Sequence, residues 1–219
     1  MKQYVIFGDS AFAARIYKYI KSEQIDKVLC FTNEEKFTST DRIDDLMVVP
    51  FERLSEFYNP TTFELLICVG YADMNRLREK LFTLCKNAGY KIGTWISSTV
   101  VSYADVIEEG CIIMPGVLIG PTTKIGKCNI IASRVCISHD NNIGNNNFVS
   151  SGVVFGGHSL IGNNCFIGLN STIRDGIFVD DFSLIGAACN LLKNTEKYGV
   201  YVGNPAYKLE GRKSIESKV

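Results

Sequence analysis

From Val101 onward, apolar residues recur at every sixth position of the chain. The series runs from Val101 through Ile107, Ile113 and Ile119 to Ile185 and Leu191; all sixteen positions are apolar and fourteen are Val or Ile. Glycine follows directly at Gly120, Gly126, Gly144, Gly156, Gly162, Gly168 and Gly186, and small or aliphatic residues such as Val117, Val135, Val153 and Cys165 stand four after the repeat position. A hexapeptide period predicts a parallel β-helix. Each six-residue unit supplies one short strand, and three units close one coil of a triangular prism. The repeat residue must be aliphatic because it points into a narrow core shared with its stacked copies. Glycine after it suits a corner that crowds the backbone and takes unusual φ/ψ. Stacked coils bury their backbone bonds against neighbours, so both ends need covers. The part of the chain before the repeat can cover one end, and the tail from Lys193 to Arg212 the other.

Residues 1–95 follow a different pattern. Short apolar runs at Gln3–Phe7, Val28–Phe31, Met47–Val49 and Glu64–Val69 read as strands. Ala11–Lys21 and Ala72–Ala88 read as helices, the second with Leu77, Leu81 and Leu84 on one face, and Leu54–Tyr58 as a brief helix. Strand, turn, helix, strand is the grammar of a parallel α/β unit. This is half of a Rossmann-type sheet, too short for a full dinucleotide-binding domain. The fold class is therefore an α/β half-Rossmann domain (1–95), a parallel β-helix (96–192) and a C-terminal tail (193–219), its charged end from Glu210 expected to be disordered.

The 219 residues carry 23 basic and 23 acidic side chains, a formal net charge of zero. That balance argues against a nucleic-acid partner, which needs excess basic charge. No apolar run approaches the ~18–20 residues that span a bilayer. The first apolar run is broken by Gly8 and Asp9, unlike a signal peptide, which points to the cytoplasm. Eight cysteines form no C-x-x-C pair, and only two histidines accompany them, so no metal site is expected. The thiols read as reduced, buried, small hydrophobes.

The two histidines, His139 and His158, are 19 residues apart, which places them on adjacent coils near one corner. Gly157 lies one coil from His139. Asp140 follows His139, and a histidine beside a carboxylate is a common general-base arrangement. The alternative is a packed His139 beside a solvated corner carboxylate. His158 has less support on spacing alone. No nucleophile elbow, P-loop, H-E-x-x-H or EF-hand pattern is present. Gly8-Asp9-Ser10-Ala11-Phe12 keeps only the first glycine of a dinucleotide loop, though a strand-to-helix turn still offers N–H groups to an anion. The asparagine runs at 141–147 and 163–164 read as corner residues tolerant of the left-handed conformation.

A half-Rossmann domain followed by an uninterrupted hexapeptide repeat with Ser138-His139-Asp140 resembles the bacterial sugar acetyltransferases of the PglD/NeuD type. The likeness covers nearly the whole chain and is carried by Cys136–Asp140, Gly156-Gly157, Ile161–Gly168 and Val202–Ala206. It implies a left-handed β-helix, a homotrimer, acetyl-CoA as co-substrate without a metal, and a nucleotide-linked amino sugar as acceptor in surface polysaccharide or glycan synthesis. It implies His139 as the base, Asp140 as its orienting neighbour, and Gly157 as the N–H that holds the thioester oxygen. The cofactor groove falls on Gly157, Gly168, Ala187, Val202, Gly203, Pro205 and Ala206. The acceptor side falls on Gly8, Asp9, Ser10, Phe12, Asn33, Gly70 and Tyr71. Outward apolar residues such as Ile112, Leu118, Ile130, Val154 and Leu160 would pack between three prisms.

The N-terminal half departs from that pattern. Phe12 replaces a histidine, Ala11 a glycine, and Cys30-Phe31-Thr32-Asn33 an acidic pair. Phe148 stands where some relatives carry a second histidine. These changes leave acetyl-CoA use intact and the acceptor open. The alternatives are a sugar O-acyltransferase, a user of longer acyl-CoA, or a noncatalytic β-helix scaffold.

Overall fold

A computed structural model describes residues 1–217. Its N-terminal sheet is built from β1 (Gln3–Phe7), β2 (Lys27–Asn33), β3 (Arg42–Ile43), β4 (Leu46–Pro50) and β5 (Glu64–Ile67), in the order β3-β4-β2-β1-β5. β1 pairs in parallel with β2 on one side and β5 on the other. A reversal of strand order opens a crevice beyond the carboxyl ends of the strands. The segments after β1 and β5 lie there.

Helix α1 (Ala11–Glu23) begins where the Ser10 hydroxyl accepts a hydrogen bond from the Ala13 N–H, and it ends at Gln24 in the left-handed region. Ala13, Ile16, Tyr17 and Ile20 form its buried stripe at helical spacing. After the short α2 (Leu54–Phe57), α3 spans Arg76–Asn87. It starts four residues later than the pattern predicts, because Asp73, Met74 and Asn75 hold φ of 54°, 47° and 66°, which an α-helix cannot continue. Its inner face also differs from the expected leucine face. Arg78, Leu81 and Cys85 are buried, while Leu77 and Leu84 are exposed.

From Trp95 the chain winds as a left-handed parallel β-helix of two-residue strands. The first wall stacks Leu118–Ile119, Cys136–Ile137, Val154–Phe155, Thr172–Ile173 and Asn190–Leu191. The second stacks Lys124–Ile125, Asn142–Ile143, Leu160–Ile161 and Phe178–Val179. The third stacks Ile112–Ile113, Ile130–Ile131, Phe148–Val149, Phe166–Ile167 and Leu184–Ile185. The second residue of each strand points inward, and these residues form one continuous core. Val101 breaks the series: it pairs with Leu118, one residue short of the regular register, and faces outward at 49% exposure. The repeat is in register from Ile107.

The left-handed corner residue is not the glycine after each repeat position. Every sixth residue from Thr122 to Ala188 has a positive φ, three places after the inward aliphatic. The glycines directly after that aliphatic serve close approach instead. A Cβ on Gly144 would stand 2.6 Å from the Gly162 carbonyl oxygen of the next coil.

The α/β domain does not cover an end of the prism. It lies along the outside of the third wall, where Trp95, Ile112, Ile130, Phe148 and Phe166 join the core of α1. Ile112 and Ile130 are thus buried within their own chain and unavailable to a second one; Leu118, Val154 and Leu160 remain exposed. The tail extends the third wall through Val200–Val202, paired with Leu184–Ile185, and turns back at Tyr207–Lys208. The tail from Glu210 is ordered in part: Ser214–Glu216 forms a short 3-10 turn with Ser214 buried, and residues 218–219 lie outside the described residues.

Arg78 pins the two halves together. It is fully buried, and all five of its N–H donors meet backbone carbonyls. Nε donates to Cys128 (2.9 Å), Nη2 to Asn146 (2.8 Å) and Asn147 (3.0 Å), Nη1 to Gly70 (2.9 Å) and Val69 (3.4 Å). Burial pushes its pKa down to about 10, so it remains a cation at neutral pH. Replacing Arg78 with Met strands those carbonyls and should cost about 3–5 kcal/mol. Urea denaturation followed by tryptophan fluorescence and circular dichroism should show the α/β domain separating before the β-helix melts. Unchanged stability would show that apolar packing alone holds the domains together.

Candidate active site

The strand Cys136–Ile137 ends the first wall of its coil, and His139 and Asp140 occupy the corner that leads to the second wall. Asp140 sits at the left-handed corner position, φ 57°. Its stacked equivalents one coil away on either side are Thr122 and His158, also with φ of 57°. The stacking sets the chemistry. Thr122 Oγ1 donates to Asp140 Oδ1 at 2.5 Å, and Asp140 Oδ2 lies 2.7 Å from His139 Nδ1. The Thr122 hydrogen bond, then the one from His139, holds the Asp140 carboxyl below its ordinary pKa. An ionised Asp140 can only accept, so the His139 proton belongs on Nδ1 and the Nε2 lone pair is free to act as a base.

Gly157 is one coil from His139 and makes room for it. A Cβ at this position would lie 2.7 Å from His139 Cε1 and 2.9 Å from Nε2. The ring therefore rests on the bare Cα of Gly157. The Gly157 N–H has no acceptor among the described residues. A base and an unengaged N–H donor thus sit side by side on an open corner.

The other predicted positions divide between two places. Gly168 and Ala187 lie on a different prism edge, between the third and first walls, and Val202, Gly203, Pro205 and Ala206 continue that edge beside Asn190. They do not meet His139 within one chain. Gly168 and Ala187 instead line a cavity of about 460 Å³ together with Phe12 and Tyr71. An adjoining cavity of about 660 Å³ is lined by Ser10, Phe12, Gly70 and Tyr71, beyond the carboxyl ends of β1 and β5. Gly8, Asp9 and Asn33 line neither. Asn33 Nδ2 donates to Asp9 Oδ1 at 3.0 Å, and the Ser39 N–H and hydroxyl donate to Asp9 Oδ2, so the two side chains close the 33–39 loop. Gly8 packs against the Cys68 carbonyl with φ 123°.

Three contributors escaped the sequence reading. Thr122 could have been found by stepping back one coil from Asp140. Phe166 follows Phe148 by one coil, and the two rings stack 5.7 Å apart with Tyr71 edge-on to both. Arg15, one turn after Phe12 on α1, lines both cavities; its guanidinium lies 5.4 Å over the Phe12 ring and forms no ion pair among the described residues.

No protein-family model matches the chain. Its fold matches solved structures over nearly its full length. A mutant of perosamine N-acetyltransferase from Caulobacter crescentus, in complex with CoA and GDP-perosamine, aligns with a TM-score of 0.84 at 19% identity, covering 95% of this chain and 97% of that one. The acetyltransferase domain of PglB from Neisseria gonorrhoeae, in complex with acetyl coenzyme A, aligns with a TM-score of 0.83 at 16% identity, covering 95% and 99%. WeeI from Acinetobacter baumannii aligns at 0.62 and 16% identity, covering 95% and 100%. The class that the fold defines is an α/β domain laid along a left-handed β-helix. More particularly, it is the two-part fold seen in the perosamine N-acetyltransferase and in the acetyltransferase domain of PglB.

Thr122→Val removes the leading cause of the lowered Asp140 pKa. Because that pKa is lowered, Asp140 holds His139 at neutral pH and releases it only as pH falls through the lowered value. In the variant the release should begin at higher pH, closer to the ordinary carboxylate range. Carbon-detected NMR titration of the Asp140 carboxyl measures this, and an unmoved titration would mean that Thr122 does not hold the carboxylate.

Proposed function

We propose that the chain is an acetyl-CoA-dependent N-acetyltransferase acting on a nucleotide-linked amino sugar in surface polysaccharide or glycan synthesis. It works as a cytoplasmic homotrimer. The observation that carries this reading is the His139–Asp140 pair lying on Gly157 at an open corner. The neighbours with the same fold support it: one is a perosamine N-acetyltransferase holding CoA and GDP-perosamine, another an acetyltransferase domain holding acetyl coenzyme A.

The residues divide the reaction as follows. A neutral acceptor amine attacks the thioester carbon, and His139 Nε2 takes a proton from the nitrogen as the C–N bond forms. Asp140 stays ionised and stabilises the resulting imidazolium. The carbonyl oxygen gains negative charge, which the Gly157 N–H holds. As the C–S bond breaks, the proton on His139 leaves with the sulfur as a thiol. No covalent intermediate on the enzyme is required.

Two observations extend the proposal. The small residues Gly168, Ala187, Gly203 and Ala206 lie along one prism edge, which suits a thin extended cofactor arm. That edge and His139 are apart in one chain. A three-fold arrangement packed through exposed Leu118, Val154, Leu160 and Phe178 would set the edge of one protomer against the His139 corner of its partner. On the acceptor side, Arg15 stands where the two cavities share a wall. That is where a diphosphate would sit with the base in one cavity and the sugar in the other.

A thiol-release assay with acetyl-CoA and a panel of UDP-, dTDP- and GDP-linked amino sugars, beside matched sugars bearing only hydroxyls, tests the reaction. Turnover confined to an amino sugar is the expected result; turnover confined to hydroxyl sugars would replace N- with O-acylation. His139→Asn should lower kcat by roughly 10²–10⁴-fold, and unchanged turnover would remove the base. Arg15→Ala should raise KM for the nucleotide sugar about tenfold, roughly 1.4 kcal/mol, with KM for acetyl-CoA unaltered. An effect on both substrates would place Arg15 in the structure of the site rather than in acceptor binding. Sedimentation should give a trimer at micromolar concentration.

A further inference from the structure

The chain's only two histidines converge on one carboxylate oxygen. Asp140 Oδ2 is 2.7 Å from His139 Nδ1 and 3.8 Å from His158 Nδ1, and one ligand atom from each of the three residues lies within 4.8 Å of the others. We propose that His139, Asp140 and His158 form a binding site for a divalent transition-metal ion of the zinc class.

The backbone builds this site in advance. The His158 N–H donates to the His139 carbonyl at 3.1 Å, locking the two coils in register. Asp140 and His158 occupy equivalent left-handed corner positions, so their side chains emerge one coil apart in the same direction. Thr122 holds the far oxygen of Asp140 and leaves Oδ2 toward the histidines. The two imidazoles stand edge-on with centroids 5.1 Å apart. Nothing else engages the His158 ring among the described residues, and the mechanism above does not use it.

The donor set selects the ion. Two imidazole nitrogens and one carboxylate oxygen suit Zn²⁺, Co²⁺ or Ni²⁺, whereas Mg²⁺ and Ca²⁺ favour oxygen alone. Three protein ligands leave the fourth position open toward solvent. Donors around a tetrahedral zinc stand about 3.4 Å apart, given Zn–N and Zn–O bonds near ~2.1 Å. The present separations bracket that value, and the side chains are 51%, 41% and 68% exposed, so small rotations suffice. Two histidines and no C-x-x-C pair argue against a metal site in the sequence; the coil register brings three ligands together from two adjacent corners. Seven of the eight thiols are buried, and Cys136 is the one partly accessible competitor.

Only the consequence of binding rests on the proposed function. With His139 as the base, an occupied site has no lone pair for the acceptor amine, so the metal is an inhibitor and not a cofactor. The test uses metal-free full-length protein carrying Cys136→Ser, titrated with Co²⁺ and followed by its visible d–d absorption, with Zn²⁺ as competitor. One Co²⁺ per chain is expected, displaced by Zn²⁺. His158→Asn, which suits a left-handed corner, should weaken binding at least tenfold. Acetyl transfer by the parent should fall as Zn²⁺ is added, while the ratio of activity with and without Zn²⁺ should stay near one in His158→Asn. No cobalt spectrum at stoichiometric metal, or equal affinity in parent and His158→Asn, overturns the site. A spectrum lost in His158→Asn together with no acetyl transfer to any acceptor upholds the site and refutes the function proposed above.

Discussion

The register between coils governs everything else in this molecule. Each coil hydrogen-bonds to the one 18 residues away, as when Ile130 N–H donates to Asn147 O and Phe148 N–H to Cys165 O. In that ladder a residue's neighbours are those one coil before and after it. Inward aliphatics stack on inward aliphatics and corners on corners. The same rule that fills the core lines up Thr122, Asp140 and His158. A one-residue slip, as at Val101, turns the inward position outward. Such a slip near residue 139 would dissolve the site while leaving the prism intact.

Arg78 transmits that register to the α/β domain. Its guanidinium grips carbonyls of two adjacent coils, at Cys128 and at Asn146 and Asn147, as well as those after β5. Asn75, beside it, donates to the Cys165 carbonyl of the next coil. The strand ends that carry Ser10 and Gly70 are thereby held against the outer face of the third wall. A buried cation with no carboxylate is sustained here because the segment after β5 and two prism corners together present carbonyl dipoles to all five donors. The cavities on the third wall lie between the two layers that this pin joins.

The β-helix was legible because a single period of six holds for fifteen inward positions from Ile107 to Leu191, and each says the same thing. The His139–Asp140–Gly157 grouping was legible for the same reason, since stacking by 18 is arithmetic. The docking of the α/β domain was not. Nothing in a pattern of apolar residues announces that an arginine will face inward, as Arg78 does on α3. The packing of Ile112 and Ile130 is hidden for a related cause: outward in the prism is still inward in the chain when another domain covers that wall. Asp9 and Asn33 look like ligand-binding residues at strand ends, yet local hydrogen bonds to Ser39 and the 33–39 loop consume them.

The aromatic floor is where, in the proposed function, recognition would part from chemistry. Phe12 and Phe148 both stand where the resemblance implies histidines, and their rings are 6.3 Å apart across the domain boundary. The substitutions are therefore one event in space, not two in sequence. Phe166 and Tyr71 complete the surface, so a ligand there meets ring faces and edges, with Arg15 and the hydroxyls of Ser133, Ser150 and Ser151 as polar contacts. Stacking and dispersion, not hydrogen bonds from imidazoles, then govern what fits. His139 and Asp140 belong to a different edge of the prism and to a stacking rule that these changes do not touch. In the proposed function the wall would choose the acceptor and the corner would move the proton, and because different elements carry the two tasks, one could diverge without cost to the other.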